Sequence, residues 1–219
     1  MFEWAHKLKG KYVCIEGPDG VGKTTLTLWL MSALEENGLS VVYGREPGST
    51  PLGEQIRELL LTNPKDPDSK RTGETAGQTQ SLYTQFYLFA ASREHFRDHV
   101  IEPAKAEGKV VLSDRGSMSS HVYQGAYAHR EHLLRHRADI QIVLTAGDEE
   151  IERRLAVKRE AINQFDDTLE KRQAFRDVYA KVTDFEPYYD AITVDAQGDE
   201  YQTRSNLLNA LEWGVGRLS

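Results

Sequence analysis

The chain has 219 residues, of which 39% are hydrophobic and 28% are charged, and its formal net charge at pH 7 is -7. This composition predicts one globular domain over residues 1–219 with a full core. The negative charge disfavours nucleic acid as a partner, because it repels polyanions. A single cysteine, Cys14, excludes an internal disulfide, and no apolar run is long enough for a membrane span or, in Met1–Gly10, for a secretion signal. We therefore expect a cytoplasmic protein without a membrane partner.

A glycine-rich segment lies between a predicted strand, Tyr12–Ile15, and a leucine-rich stretch that predicts a helix. Its members are Gly17, Pro18, Asp19, Gly20, Val21, Gly22, Lys23, Thr24 and Thr25. A strand, a glycine loop and a helix in this order are typical of a site that binds phosphate through backbone N–H groups and the helix N-terminus. We expect Lys23 to reach the β- and γ-phosphates and the Thr24 hydroxyl to bind Mg²⁺.

Strands and helices alternate along the rest of the chain. Apolar runs predict strands at 41–43, 109–114, 140–144 and 192–194, and helical periodicity predicts helices within 26–36, 52–60, 82–96, 149–179 and 201–218, with a short piece opening at Pro103. Residues 62–80, rich in polar residues with Pro and Gly, predict an extended loop. The alternation indicates an α/β fold whose parallel sheet is covered by helices on both faces.

Three further motifs, taken with the glycine loop, resemble the thymidylate kinase family of the bacterial type. Arg45-Glu46-Pro47-Gly48-Ser49-Thr50, continuing as Gly53-Glu54-Gln55-Ile56-Arg57, is similar to the family's second motif. Phe89 and Arg93 have the family's spacing, and Asp114-Arg115 is followed by Tyr123-Gln124-Gly125. The resemblance implies a P-loop nucleoside monophosphate kinase fold and a homodimer. It also implies Mg²⁺-dependent transfer of the γ-phosphoryl group of ATP to dTMP, which gives dTDP and ADP for dTTP synthesis.

Three charged residues at predicted strand ends suit phosphoryl transfer on physical grounds. An acceptor that is itself a phosphate must be held by cations, because two polyanions are brought together. Arg45 and Arg115 are the candidates, at the edge where an open α/β sheet places its site, and their alternative role is a surface salt bridge. Asp114 is expected near Mg²⁺ or beside Arg115, the alternative being a turn cap.

The resemblance also implies a pocket for a pyrimidine nucleotide. Phe89 and Arg93 share one helix face; the sequence alone favours a core role for the ring, whereas in the family the Phe stacks on thymine and the Arg binds a base carbonyl. Matching positions for the rest of the pocket are Ser119, Ser120 near the pyrimidine N3, Tyr123 under the deoxyribose, Gln124 on the same wall, and Asp19 at the sugar 3′-hydroxyl. A carboxylate in a phosphate loop requires a cationic partner.

One branch of the family has an arginine after the acidic residue of the loop, where this chain has Gly20. The resemblance then implies that catalytic cations come from a lid, predicted at about 150–166. Arg153-Arg154 and Lys158-Arg159 are available, and we favour Lys158 and Arg159. The alternative is a solvated charged helix face.

The chain departs from the family pattern at several points. Asn163-Gln164 replaces the common Asp-Arg, Thr145 replaces a usual Asp, the segment 125–139 is shorter and 62–80 is longer. These changes leave open a kinase for another deoxynucleotide, including one with a C5-modified pyrimidine. A nucleoside kinase with Glu16 as base is a further alternative, against which Arg45 and Arg115 argue. The changes at Asn163 and Gln164 also leave open a nucleotide-binding protein without catalysis.

Three histidines occupy the shortened segment. His129, His132 and His136 lie at i, i+3 and i+7, a spacing that occurs in zinc sites. No cysteine or fourth ligand lies nearby, so we expect a polar helix face and no metal.

Overall fold

The computed structural model describes residues 2–61, 81–158, 169–185, 188 and 190–218, with the backbone alone for Lys158. The predicted extended loop at 62–80 lies outside the described residues. So does the second part of the predicted lid, residues 159–166, including Arg159 and Asn163-Gln164.

The described residues form one parallel sheet of five strands in the order β2-β3-β1-β4-β5. The strands are β1 (Tyr12–Glu16), β2 (Val41–Arg45), β3 (Val110–Asp114), β4 (Ile140–Thr145) and β5 (Ile192–Asp195). All of the predicted strands are present, because each is an apolar run bounded by turn residues. The parallel α/β prediction is confirmed.

Helices connect the strands as parallel topology requires. They are α1 (Lys23–Glu36), α2 (Pro51–Leu61), α3 (Leu82–Phe96), α4 (Glu102–Ala106), α5 (Ser117–Gln124), α6 (Arg130–Arg135), α7 (Asp148–Lys158), α8 (Leu169–Ala180) and α9 (Glu200–Gly216). A π-helical stretch, Arg97–Ile101, joins α3 to α4, so the piece predicted to open at Pro103 continues the preceding helix. Helix α5 and a 3₁₀ turn at Glu3–Leu8 were not predicted.

Both faces of the sheet are covered. Alternate residues of a strand point to opposite faces, and in β1 Val13 belongs to one apolar cluster whereas Cys14 belongs to another. The first cluster joins the sheet to α1 and α9, through Leu30, Leu34, Leu112, Ile142, Leu207 and Leu211. On the other side Phe96, Ile101 and Val111 form one cluster and Met118, Val143, Tyr179 and Tyr188 another. These clusters confirm the predicted layering.

Two smaller expectations concern Cys14 and the membrane. Cys14 is a free thiol, it is buried in the sheet, and burial raises its pKa. Within the described ranges, none of the helices has the length and apolar character that crossing a membrane requires.

Strand register places the predicted site residues in a row. Asp114 at the end of β3 pairs with Ile15 of β1 on one side and with Arg45 of β2 on the other. Glu16 follows Ile15 and ends β1, immediately before the glycine loop. Because the carboxyl ends of parallel strands border the crevice of an open α/β sheet, these residues meet at one edge.

Candidate active site

A cavity of about 360 Å³ opens at this edge of the sheet. Its walls come from the loop after β1, the ends of β2 and β3, and helices α2, α3, α5 and α7. The predicted site residues that line it are Asp19, Gly20, Gly22, Lys23, Thr24, Arg45, Phe89, Arg93, Asp114, Arg115, Ser119, Ser120, Tyr123 and Gln124. Those of the predicted loop that do not line it are Gly17, Pro18, Val21 and Thr25. The structure therefore gathers most of the predicted phosphate-loop and acceptor residues around one space.

The glycine loop curls around the ammonium group of Lys23. Gly17, Gly20 and Gly22 all have positive φ, which glycine adopts without steric cost. Lys23 Nζ donates a hydrogen bond to the carbonyl of Pro18 at 2.9 Å and lies 3.4 Å from Oδ1 of Asp19. Burial and the neighbouring Arg115 lower the pKa of Lys23, whereas Asp19 raises it. The loop thus presents a buried cation at its centre.

Thr24 and Asp114 meet at the mouth of the loop. The Thr24 hydroxyl donates a hydrogen bond to Oδ2 of Asp114, and both residues line the cavity. A hydroxyl and a carboxylate are oxygen ligands of the kind that Mg²⁺ prefers. The donor set therefore fits the predicted magnesium site.

Arg115 and Asp19 form an ion pair across the cavity. The Arg115 backbone has φ 72°, a left-handed conformation that is rare outside glycine. Its guanidinium also donates to Oη of Tyr179 at 3.0 Å and lies 5.4 Å from the centre of the Tyr123 ring. The acidic residue of the phosphate loop thus has the cationic partner that the sequence required.

Glu16 anchors the start of α5 and has a role that sequence reasoning did not identify. Its carboxylate is completely buried and accepts hydrogen bonds from the backbone N–H groups of Gly116 (2.7 Å) and Ser119 (3.0 Å). It also accepts from the Ser119 hydroxyl (2.8 Å) and the Tyr179 hydroxyl (3.0 Å). A carboxylate with four donors that does not line the cavity is unsuited to act as a base, so Glu16 gives the nucleoside kinase alternative no support.

Arg93 is held in the cavity wall by four hydrogen-bond contacts. Its Nε donates to Oε2 of Glu46 at 2.6 Å, and its Nη2 donates to the carbonyl of Gly116 at 3.1 Å and to Oγ of Ser120 at 3.2 Å. Phe89, one turn earlier on α3, is half-buried and lines the cavity. The core position that the sequence alone favoured for this ring is therefore wrong. Arg93 and Ser120, predicted separately, are therefore in direct contact.

Glu46 also lines the cavity, although the sequence indicated no role for it beyond its place in the second motif. Burial raises the pKa of its carboxyl to about 7, and Arg93 limits the rise. The neighbouring wall includes Gln124, whose amide nitrogen Nε2 is buried without a hydrogen-bond partner among the described residues. Buried polar groups are normally paired with other polar groups. The buried polar side chains of Glu46 and Gln124 therefore indicate that this part of the cavity binds a polar ligand.

Two arginines line the cavity beside the end of β2. Arg45 Nη2 lies 3.1 Å from Oε2 of Glu54 in an exposed ion pair. The surface salt bridge that was the alternative role for Arg45 is therefore present, and Arg45 also lines the cavity. Arg57 of α2 is half-buried, donates to the carbonyl of Pro47 at 3.0 Å and was not predicted as a site residue. The position of Arg57 in the second motif was the one sequence feature that could have indicated a place in the site.

Helix α7 packs on the glycine loop. Arg154 donates to the carbonyl of Val21 at 2.9 Å and to the carbonyl of Ala196 at 2.7 Å, whereas Arg153 is exposed. A Cβ atom at Gly20, where φ is +83°, would lie 2.8 Å from Cγ of Leu155. The favoured lid cations, the Lys158 side chain and Arg159, lie outside the described residues, so their selection stays a prediction.

The histidine-rich segment packs against α3 and differs from the prediction. His136 is buried and His132 is half-buried, so the expectation of a polar helix face is wrong for both; His129 is exposed. The Nε2 of His132 lies 3.1 Å from Nη1 of Arg93. Burial, with Arg93 next in effect, lowers the pKa of His132 to about 4, so its neutral ring accepts this hydrogen bond. Among the described residues, no group of three or more His, Cys, Asp or Glu side chains could hold a metal ion.

Comparisons with known proteins identify the family of this chain. The family model described as thymidylate kinase matches residues 15–206. Relatives with the name thymidylate kinase include proteins of Bordetella pertussis, 44% identical over 117 residues (53% of this chain and 49% of the relative), and Nitrosospira multiformis, 45% identical over 118 residues (54% and 51%). Another, from Pelotomaculum thermopropionicum, is 48% identical over 118 residues (54% and 49%). The matched region spans about half the length of these curated relatives. Because the family model covers most of the sequence, the chain belongs to the thymidylate kinase family.

Proposed function

We propose that this protein transfers the γ-phosphoryl group of ATP to dTMP and produces dTDP and ADP. The observation that carries the proposal is that one cavity is lined both by the phosphate-loop residues Lys23 and Thr24 and by Arg45, Arg93 and Arg115. Phosphoryl transfer between two nucleotides requires such a space, in which a donor and an acceptor phosphate meet among fixed cations. Family membership and the printed names of the relatives give further support.

The cations around the cavity divide between donor and acceptor. Lys23 and the backbone N–H groups of its loop would hold the β- and γ-phosphates, since they converge at a helix N-terminus. Arg45 and Arg115 would hold the phosphate of dTMP, with Arg57 beside them. Charge on the moving group would be neutralised by Lys23 and Arg115, assisted by Lys158 and Arg159 from the lid.

Thr24 and Asp114 would hold Mg²⁺, the metal we propose for the reaction. The ion supplies charge neutralisation at the phosphates when ATP is bound. Asp114 would orient the Thr24 hydroxyl, as its carboxylate does in this structure.

The opposite end of the cavity would bind thymine and deoxyribose. Phe89 would stack on the base, Arg93 would donate to a base carbonyl, and Ser120, which is in contact with Arg93, would lie near N3. Tyr123 would lie under the sugar and Asp19 would accept from its 3′-hydroxyl. Ser119 and Gln124 line the same space and would close the pocket wall.

We also propose a cytoplasmic homodimer. An exposed aromatic group lies on α3 and beyond α5, with the rings of Tyr83 and Tyr87 4.8 Å apart and those of Tyr83 and Tyr127 6.3 Å apart. Aromatic side chains are enriched at protein interfaces, which supports self-association through this surface. Light scattering after size-exclusion chromatography tests it: a monomer at micromolar concentration would contradict the proposal.

Measuring ADP release from ATP and Mg²⁺ against a panel of acceptors tests the proposed reaction. The panel contains dTMP, dUMP, dCMP, dGMP, C5-substituted dUMP and thymidine. We expect the highest kcat/KM with dTMP and no reaction with thymidine, because the arginines require an acceptor phosphate. Preference for another monophosphate would support the alternative deoxynucleotide kinase, and ATP binding without turnover would support a non-catalytic protein.

A further inference from the structure

Glu46 and Arg93 form a buried ion pair at the base end of the cavity. Their side chains are 3% and 2% exposed, and Oε2 of Glu46 lies 2.6 Å from Nε of Arg93. A buried guanidinium requires a partner of opposite charge, because removing it from water costs several kcal/mol. The other groups that accept from Arg93, the Gly116 carbonyl, the Ser120 hydroxyl and neutral His132, are uncharged. Glu46 is thus the carboxylate in hydrogen-bond contact with this arginine.

This pair determines which donor of Arg93 is available to a ligand. A guanidinium has five N–H groups. One is donated to Glu46, two to Gly116 and Ser120, and one to His132, so the contacts of the described residues leave one N–H on Nη1. Because Nε and Nη1 belong to the same rigid plane, the contact with Glu46 fixes the direction of the remaining donor.

Glu46 is itself fixed by the strand ends that hold the acceptor arginines. Its backbone N–H donates to the carbonyl of Asp114 at 3.0 Å, and its neighbour in the chain is Arg45. Two residues further, the backbone N–H of Gly48 donates to Oγ of Ser92, the residue before Arg93, at 3.3 Å. The segment after β2 therefore connects the phosphate end of the cavity to the base end.

We propose that Glu46 is a positioning residue that fixes Arg93 for recognition of the acceptor base and keeps it in register with Arg45. This inference rests on the proposed function. The available N–H of Arg93 suits a carbonyl such as O4 of thymine and opposes the amino group that cytosine carries at the same position. Loss of the carboxylate at Glu46 would free the guanidinium to turn, so acceptor affinity and base discrimination would fall together while ATP binding would not change.

Steady-state kinetics of Glu46→Gln test the proposal. The amide keeps the shape of the side chain and removes its charge. We expect the KM for dTMP to rise about tenfold, with kcat changed by less than about threefold and the KM for ATP unaltered. The ratio of kcat/KM for dTMP over dCMP should fall by about fivefold or more. The matched control is Glu94→Gln, which makes the same change next to Arg93 at a carboxylate that pairs with Arg135 outside the cavity and should leave these constants unchanged.

The possible outcomes separate this proposal from others. Loss of folded enzyme alone would lower kcat and leave the KM for dTMP and the base ratio at wild-type values, which would overturn the positioning role. Equal rises in the KM for dTMP and for ATP would overturn it as well. If Glu46→Gln does not fold, Glu46→Asp decides, since it keeps the charge on a shorter side chain and should raise the KM for dTMP without changing that for ATP. Absence of dTMP-dependent ADP release in the wild type would contradict the proposed function instead.

Discussion

The hydroxyl of Thr24 donates a hydrogen bond to Oδ2 of Asp114, although 90 positions separate the two residues in the chain. Parallel pairing of β1 with β3 brings them together, since the loop after β1 turns back over the end of β3. If this pair holds Mg²⁺, Asp114→Asn should raise the Mg²⁺ concentration for half-maximal rate by about tenfold or more, because the amide lacks the charge that attracts the ion. Titration of the rate with MgCl₂ measures this. Asp98→Asn, an exposed aspartate outside the cavity, serves as control, and an unchanged Mg²⁺ requirement in Asp114→Asn would contradict the assignment.

Arg115 is expected to be essential for transfer. Arg115→Ala removes a cation from the acceptor side and leaves Asp19 with one fewer positive partner, so we expect kcat/KM for dTMP to fall by about 10²- to 10³-fold. The far-ultraviolet circular dichroism spectrum should remain that of the wild type. Activity retained in a folded Arg115→Ala protein would show that the acceptor phosphate binds elsewhere.

Glu16 is expected to matter for stability. Glu16→Ala leaves the backbone N–H groups of Gly116 and Ser119 and two hydroxyls without this acceptor, so the free energy of unfolding should fall by about 3–5 kcal/mol. Urea denaturation measures the change. Glu35→Ala, at an exposed position of α1, should change stability by less than about 0.5 kcal/mol. A similarly small effect at Glu16 would contradict the anchoring role.

Gly20 is expected to tolerate no side chain while Leu155 packs on it. Gly20→Ala combines a strained φ of +83° with the contact to Leu155, whereas Gly22→Ala has a strained φ of +104° and only one neighbour, 3.9 Å away. Gly20→Ala should therefore be more destabilising than Gly22→Ala. The double variant Gly20→Ala with Leu155→Ala should lose less unfolding free energy than the two single variants added together. The reason is that the shorter side chain at position 155 relieves the steric contact. Additive losses would indicate that the contact has no energetic weight.

Acid is expected to destabilise the protein through His132. Its pKa is about 4 in the folded protein and about 6.5 when unfolded, so the unfolded chain binds more protons between these values and stability falls as the pH drops from 6.5 to 4. Glu46, with a raised pKa of about 7, acts in the opposite direction, since stability falls as the pH rises from about 4.5 to 7. The difference in unfolding free energy between wild type and His132→Gln, measured as a function of pH, gives the contribution of this histidine. The unfolding free energy of the variant should depend less steeply on pH below 6.5, and identical pH profiles would contradict the account.

Most of the fold could be predicted, because its signals are local. Strands such as Val110–Asp114 are short apolar runs between turn residues. The glycine loop has a residue spacing, between a strand and a helix, that is typical of few structures other than phosphate-binding loops. Helix α5 escaped prediction because Ser117–Gln124 is short and has mostly weak helix formers. Its first turn is stabilised by Glu16, a contact across 100 positions that no local pattern reveals.

The site could be predicted where a residue's role follows from its type and its place at a strand end. Arg45, Asp114 and Arg115 were predicted in this way, and all three line the cavity. Glu46 and Arg57 were missed because their part in the cavity depends on tertiary contacts, in one case with Arg93 and in the other with the carbonyl of Pro47. Burial of His132 likewise follows from packing against α3, which spacing in the sequence does not encode.

We propose that one cavity holds a donor and an acceptor phosphate together. The most direct measurement uses ATP labelled in the γ-phosphoryl group, with Mg²⁺ and dTMP, and separates the products by chromatography. The account predicts that the label appears in dTDP with wild-type protein and not with Arg115→Ala. Label that appears only in inorganic phosphate, or remains in ATP although both nucleotides bind, would contradict it.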